Sequence, residues 1–262
     1  MKITTQARIL KFFGFALLFY SCGNVTTEQY LKPEKDYNLE AVIEYLKPTD
    51  ANIYLINQEK DSLNNRFIGI SLGECKNVGK NGIDPTVALS YTALMIFAQG
   101  LGNTDGIRVE LIYDYDFKRT GPITNEHVGN AKYTYPKEVL EWANAAHQSF
   151  ENWYDGTGEN DFNTCVVQDS TVITDYVELS KSIKSNFTKI MLIGFTEVRT
   201  KQQGFEKKLL LFYKASDAQN KMVELFATVR PDNKIESLFI SNQQDKGFEP
   251  AVNALKNNCF LY

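Results

Sequence analysis

The sequence predicts an α+β protein of two small domains, the C-terminal one a helix packed on a four-stranded antiparallel meander. Four β-rich runs, Lys189–Thr200, Phe205–Ala215, Lys221–Arg230 and Lys234–Asn242, follow one another closely. The loops between them carry Gly204, Ser216-Asp217-Ala218-Gln219 and Pro231-Asp232-Asn233, the turn chemistry that successive hairpins need. Upstream, helical and strand periods alternate. The length of 262 residues, 43% of them hydrophobic, suits one large or two small domains and excludes wholesale disorder.

The N-terminus has its own character. Lys2, Arg8 and Lys11 form a basic region without an acid, and Phe12 to Tyr20 is an unbroken apolar run. That run is too short to cross a bilayer as a helix, which takes about 20 residues, and matches the apolar region of a secretory signal peptide. Ser21-Cys22-Gly23 follows. This arrangement resembles the signal peptides of bacterial lipoproteins, with Phe19-Tyr20-Ser21-Cys22 in the place of the lipobox. Phe19 and Tyr20 depart from the usual Leu and small residue; Ser21 and Cys22 fit. The resemblance implies removal of residues 1–21 and acylation of Cys22, with palmitate among the chains attached. It also implies a cell-envelope location facing the periplasm or the exterior, with Gly23 rather than Asp favouring the outer membrane. Two or more acyl chains anchor stably where one does not. Losing Lys2, Arg8 and Lys11 takes the formal charge from −4 to −7, which stands off an anionic surface. Residues 22–37 are polar and aperiodic and read as a lipidated tether.

An N-terminal α+β domain is expected over 38–155. It opens with a short helix at Leu39–Leu46, stopped by Pro48. Strands are expected at 52–58 and 66–72. Asp84-Pro85 marks a helix start, and the helix is apolar almost all round until Gly100 or Gly102, which predicts burial. From Ile107 to Phe117, Val109, Leu111, Tyr113, Tyr115 and Phe117 alternate with mostly polar residues, a half-buried strand whose hairpin partner is 131–135. After Pro136, Val139, Trp142, Ala143, Ala146, Phe150 and Trp153 recur at helical spacing. This 137–154 helix can belong to either half.

Gly156-Thr157-Gly158 marks the expected boundary, and the second domain covers 156–262. An amphipathic helix at Asp175–Phe187 leads into the meander, and Pro250 opens a short terminal helix. The order of helix then meander resembles the cone-shaped nuclear-transport-factor-like folds, with a cystatin-like helix on a sheet close behind. The residues behind the impression are the 175–187 helix and the hairpin Phe226 to Ile235.

Chemistry is sparse. Lys plus Arg is 28 against 32 for Asp plus Glu, so no basic excess points to nucleic acid. There are two histidines, His127 and His147. The phosphate-binding, dinucleotide, zinc-protease, serine-hydrolase and dithiol motifs are all missing. No cofactor or metal site is expected. Asp114 and Asp116 share a strand face and could hold a hard cation, or form a solvated face opposite the aromatic one. A cone pocket could draw on Tyr213, Glu197, Glu224 and Asp175, though strand propensity explains each. Beyond Cys22 there are Cys75, Cys165 and Cys259; a Cys165–Cys259 disulfide is one possibility and three free thiols the other. Cys75 has no neighbouring His to make it a nucleophile.

The expectation is therefore a membrane-anchored lipoprotein serving as a non-catalytic binding or accessory module for a protein or small-molecule ligand. The alternatives are an enzyme with a pocket in the C-terminal cone and a structural subunit of an envelope complex.

Overall fold

The computed structural model describes residues 27–60, 63–79, 82–114, 128–155, 165–168, 171–173, 187–199, 207–217, 219 and 221–241. Its α+β architecture rests on two sheets with helices packed against both. The first sheet has five strands in sequence order: β1 (Thr27–Leu31), β2 (Ala51–Lys60), β3 (Leu63–Gly79), β4 (Gly106–Asp114) and β5 (Val128–Pro136). Neighbours are antiparallel except β3 and β4. Parallel neighbours need a crossover, and here it carries helix α2 (Pro85–Phe97).

Helix α1 (Glu40–Leu46) ends where expected: Lys47 turns left-handed at φ 49° ahead of Pro48, and its N–H bonds to the Ile43 carbonyl. Helix α2 begins at the expected signal. The Asp84 carboxylate accepts from the Thr86 N–H at 2.7 Å, and Pro85 opens the first turn. The helix stops at Phe97, before the glycines, which then turn the chain at φ +85° (Gly100) and +60° (Gly102). Val87 through Leu94, and Ile96, are buried. A helix apolar on all sides needs cover on all sides, and α2 packs on β3, β4 and β5 as well as on the second sheet.

That second sheet contains the expected meander: β8 (Phe187–Arg199), β9 (Lys207–Asp217), β10 (Met222–Val229) and β11 (Ile235–Ser241), each antiparallel to the next. Two strands the sequence reading lacked extend it. β6 (Cys165–Gln168) lies parallel to β11, and β7 (Thr171–Ile173) pairs antiparallel with β6. Phe187, expected to close a helix, is the first residue of β8; positions 174–186, the 156–158 boundary and the helix after Pro250 lie outside the described residues. Helix α3 (Lys137–Asp155) buries Leu140, Ala143, Ala146, Phe150 and Trp153 at helical spacing and touches β4 and β5 as well as β9 and β11. It thus serves both sheets, as its position allowed.

The contact between α2 and β8 is close. A register shift between Leu192 and Gly194 lies where β8 meets the helix. The Ser90 hydroxyl donates to the Thr86 carbonyl and accepts from the Phe195 N–H at 3.0 Å. A Cβ on Gly194 would come within 2.6 Å of Ser90 Oγ. Tyr135 of β5 meets Phe195 with ring centroids 5.4 Å apart. Buried side chains of α1–α3 and both sheets form one continuous apolar cluster.

One difference concerns the N-terminal segment. Thr27–Leu31, within the stretch expected to be a tether, forms strand β1 and pairs with β2 from Thr27↔Glu59 to Leu31↔Leu55. The residues after it are docked too. The Asn38 N–H donates to Gln99 Oε1 at 2.7 Å, Gln99 Nε2 returns to the Asn38 carbonyl at 2.9 Å, and Lys35 donates to the Gln99 carbonyl. Strand pairing needs backbone rather than a hydrophobic pattern, so a polar edge strand gives little sequence signal.

Candidate functional site

One cleft lies at the turn end of the β2–β3 hairpin. It has a volume of about 350 Å³ and is lined by Thr27 and Gln29 of β1, Asn57, Gln58 and Glu59 of β2, and Asn64, Asn65 and Arg66 of β3. Strand alternation and the register put Thr27, Gln29, Asn57, Glu59, Asn64 and Arg66 on one face. Further along the same face the residues are Leu55, Ile68 and Ile70, all buried. One sheet face thus switches from apolar core to polar cleft along its strands. The Asn57 Oδ1 atom is buried and accepts no hydrogen bond among the described residues.

A second cavity of about 270 Å³ adjoins it, bounded by Tyr37, Leu55, Ile68 and Leu101 with Glu34, Lys35, Asn103 and Thr104; Arg66 borders both. Arg66 is fixed at each end. Its guanidinium pairs with Glu34 at 2.6 Å, and its N–H donates to Asp105 at 2.7 Å. Tyr37 donates to the Gly100 carbonyl and lies under the Lys35 ammonium, 4.6 Å from the ring centroid. The docked segment 32–39 therefore builds one wall of this cavity.

A third site joins the two halves of the chain. Tyr45 of α1, Asp84 at the start of α2, and Lys214 and Glu224 of the meander border a cavity of about 40 Å³, room for water rather than for a substrate. Lys214 sits over the Tyr45 ring at 5.4 Å. Burial, reinforced by the Glu224 charge, pushes the Tyr45 hydroxyl up to about 12, and this hydroxyl has no partner among the described residues.

The candidates read from the sequence fall into separate places. Tyr213 and Glu224 both border the small cavity, but they alternate onto opposite faces of the meander, since Glu224 pairs with Lys214. Glu197 is elsewhere, paired with Lys207 at 3.6 Å. His147, a lone histidine by sequence, meets Tyr213: its Nδ1 is 3.3 Å from the Tyr213 hydroxyl, and its Nε2 is 3.4 Å from Glu151. Tyr213 is fully buried and stacked on Phe150 at 4.2 Å, and burial raises its hydroxyl well above the usual range. Among the described candidates, Tyr213 and Glu224 thus border one small cavity from opposite sheet faces, and Glu197 does not border it.

Cys75 is a free, fully buried thiol lying 3.2 Å from the Gly73 carbonyl, and burial, with help from Asp50, pushes it up to about 11. A nucleophile needs the opposite shift. Cys165 is in β6 beside Ser237 of β11, and Asp114 is the last residue of β4. Cys22, Asp116, His127, Asp175 and Cys259 lie outside the described residues. Among the described residues, no helix is long and apolar enough to cross a membrane.

Sequence reasoning missed the polar cleft. Its signal was the clustering of carboxamides at Asn57-Gln58 and Asn64-Asn65 on either side of one turn, which passes for ordinary loop polarity until β1 completes the face. No known family model matches the chain, and no curated protein matches it as a relative.

Proposed function

We propose that this protein is an exported lipoprotein, anchored through Cys22 in the cell envelope and serving there as a non-catalytic binding module. One observation carries the binding reading. A cleft of about 350 Å³ is lined by five carboxamides and a hydroxyl beside one acid and one arginine, a lining dominated by neutral groups that donate and accept hydrogen bonds. The anchor rests on the basic region, the apolar run and the Ser21-Cys22 junction. Cys22 precedes Thr27, the first residue of β1, by only five residues. At most about 18 Å of extended chain therefore separates the acylated cysteine from the cleft wall. On this reading the cleft works close to the membrane surface, in the outer membrane by the Gly23 preference, facing the periplasm or the exterior.

Metabolic labelling with a tagged palmitate tests the anchor. The wild-type chain should take up label and fractionate with membranes, whereas Cys22→Ser should do neither. Equal labelling of the two would overturn the anchor.

A further inference from the structure

We infer that the paired clefts around Arg66 bind a neutral saccharide, the sugar hydroxyls held by the carboxamides of β1–β3 and an apolar sugar face laid towards Tyr37. This rests on the binding-module reading above and names its ligand class.

Four features lead there. The first is size: of the two cavities that share Arg66, about 350 and 270 Å³, the larger falls in the range of small-ligand sites and the smaller extends it. The second is donor and acceptor balance. A carboxamide offers two N–H donors and a carbonyl acceptor, which matches hydroxyls that themselves donate and accept. Gln29, Asn57 and Asn64 sit on the same face as the Thr27 hydroxyl. The third is charge. Glu34 and Glu59 are balanced by Lys35 and Arg66, and Arg66 is already paired with Glu34, so nothing selects an anion or a cation. The fourth is an unmet acceptor: Asn57 Oδ1 is buried with no donor among the described residues. A buried polar atom left unpaired costs free energy; the atom is closed to solvent, so a ligand hydroxyl removes that cost once the Asn57 side chain turns towards the cleft.

The adjoining cavity adds what a purely polar cleft lacks. Tyr37, Leu55, Ile68 and Leu101 give it an apolar floor, while Asn103 and Thr104 supply hydrogen-bonding groups at its side. A sugar ring has that dual surface, with C–H groups on its faces and hydroxyls around its rim. A peptide would also satisfy carboxamides, so it is the competing outcome.

The test uses the full chain in detergent micelles, titrated calorimetrically with cellotriose, mannotriose, chitotriose and, as the peptide probe, triglycine. At least one trisaccharide should bind and triglycine should not. Asn57→Ala should weaken that binding about tenfold, the effect of one lost hydrogen bond. Gln29→Ala, on the exposed edge strand, should weaken it severalfold with an unchanged melting temperature. The Gln29 variant keeps the test valid if Asn57→Ala unfolds. Vesicles carrying a neutral digalactosyl lipid separate a membrane-borne sugar from a free one, and binding of either supports the inference. Binding of triglycine alone, or no saccharide heat up to about 10 mM, overturns it. So does saccharide binding that both variants leave untouched. Palmitate labelling of the same preparation keeps the readings apart: labelled protein that ignores every sugar overturns the saccharide alone, and unlabelled protein overturns the anchor alone.

Discussion

The two sheets solve the same burial problem in opposite ways. Both turn an apolar face towards α2 and α3. The six-stranded sheet also buries its other face: Leu210, Phe212, Phe226 and Phe239 are as inaccessible there as Leu209, Leu211, Tyr213 and Leu225 are on the core side. Phe212, Phe226 and Phe239 form a ladder across β9, β10 and β11, with centroids 5.5 and 5.8 Å apart. The five-stranded sheet covers its outer face with its own long side chains. Arg108 lies over Phe67 and donates to Glu28 at 2.8 Å, and Gln58 and Tyr30 also donate to that carboxylate. Tyr54 spreads across Gly69, where a Cβ would meet its ring. One sheet depends on packing, the other on a charged lattice laid flat on apolar residues.

That contrast sets the size of the mutational effects. Phe212→Ala removes the middle of the ladder from a site with 1% exposure and should cost about 3–5 kcal/mol, read from urea unfolding of the full chain. A loss below about 1 kcal/mol would mean that the outer face of this sheet is not packed. Arg108→Ala should cost less, about 1–3 kcal/mol, because Glu28 keeps Tyr30 and Gln58 and retains partial access to water. The Arg108 hydrogen bond is also the main reason the Glu28 carboxyl titrates below its ordinary 4.5. The folded protein thus holds the ionised form more tightly than the unfolded chain does. That stability is present above pH 4.5 and is lost as the pH falls through the lower folded value. Arg108→Ala should therefore soften the acid-induced loss below pH 4.5 as well as lower stability at neutral pH.

Where the two sheets meet, α2 supplies a third kind of contact. Gly194→Ala forces a Cβ against Ser90 Oγ and the Val87 carbonyl, at 2.6 and 3.2 Å, and should cost about 1–3 kcal/mol. Ser90→Ala leaves the Phe195 N–H without its acceptor, at about 1–2 kcal/mol. Because Ser90→Ala also removes the clashing oxygen, the double variant should cost less than the sum of the singles. Simple additivity would show that helix and strand are not in contact there.

These contacts also mark what the sequence could disclose. The meander was legible because each of its strands is a run of apolar and β-branched residues closed by a turn, and α2 because Asp84-Pro85 and an all-round apolar surface leave few alternatives. β1 was not legible. Thr27-Glu28-Gln29-Tyr30-Leu31 is read by its pairing with β2, a long-range fact. Glu28 and Arg108, 80 positions apart, look like ordinary surface charges until β1 lies beside β2. The polar cleft depends on the same strand, so it was hidden for the same reason. His147 could be placed on a helix from its spacing, but only the packing of α3 on β9 brings it to Tyr213.

The smallest expected effect comes from that last pair. His147 lies between the Tyr213 hydroxyl and Glu151. Burial lowers its tendency to take a proton, while the Glu151 charge partly opposes the shift. The unfolded chain, with an ordinary value near 6.5, then binds the proton more readily than the folded one. Stability is complete above pH 6.5 and declines as the pH falls below it. Between pH 7 and 5.5 most carboxylates stay ionised, so the melting temperature in that window reports mainly on histidine. His147→Gln should flatten the decline, and His127→Gln, made in parallel, corrects for the other imidazole. A wild-type slope retained in His147→Gln would show that Glu151 offsets the burial, leaving the His147–Tyr213 contact without consequence for stability.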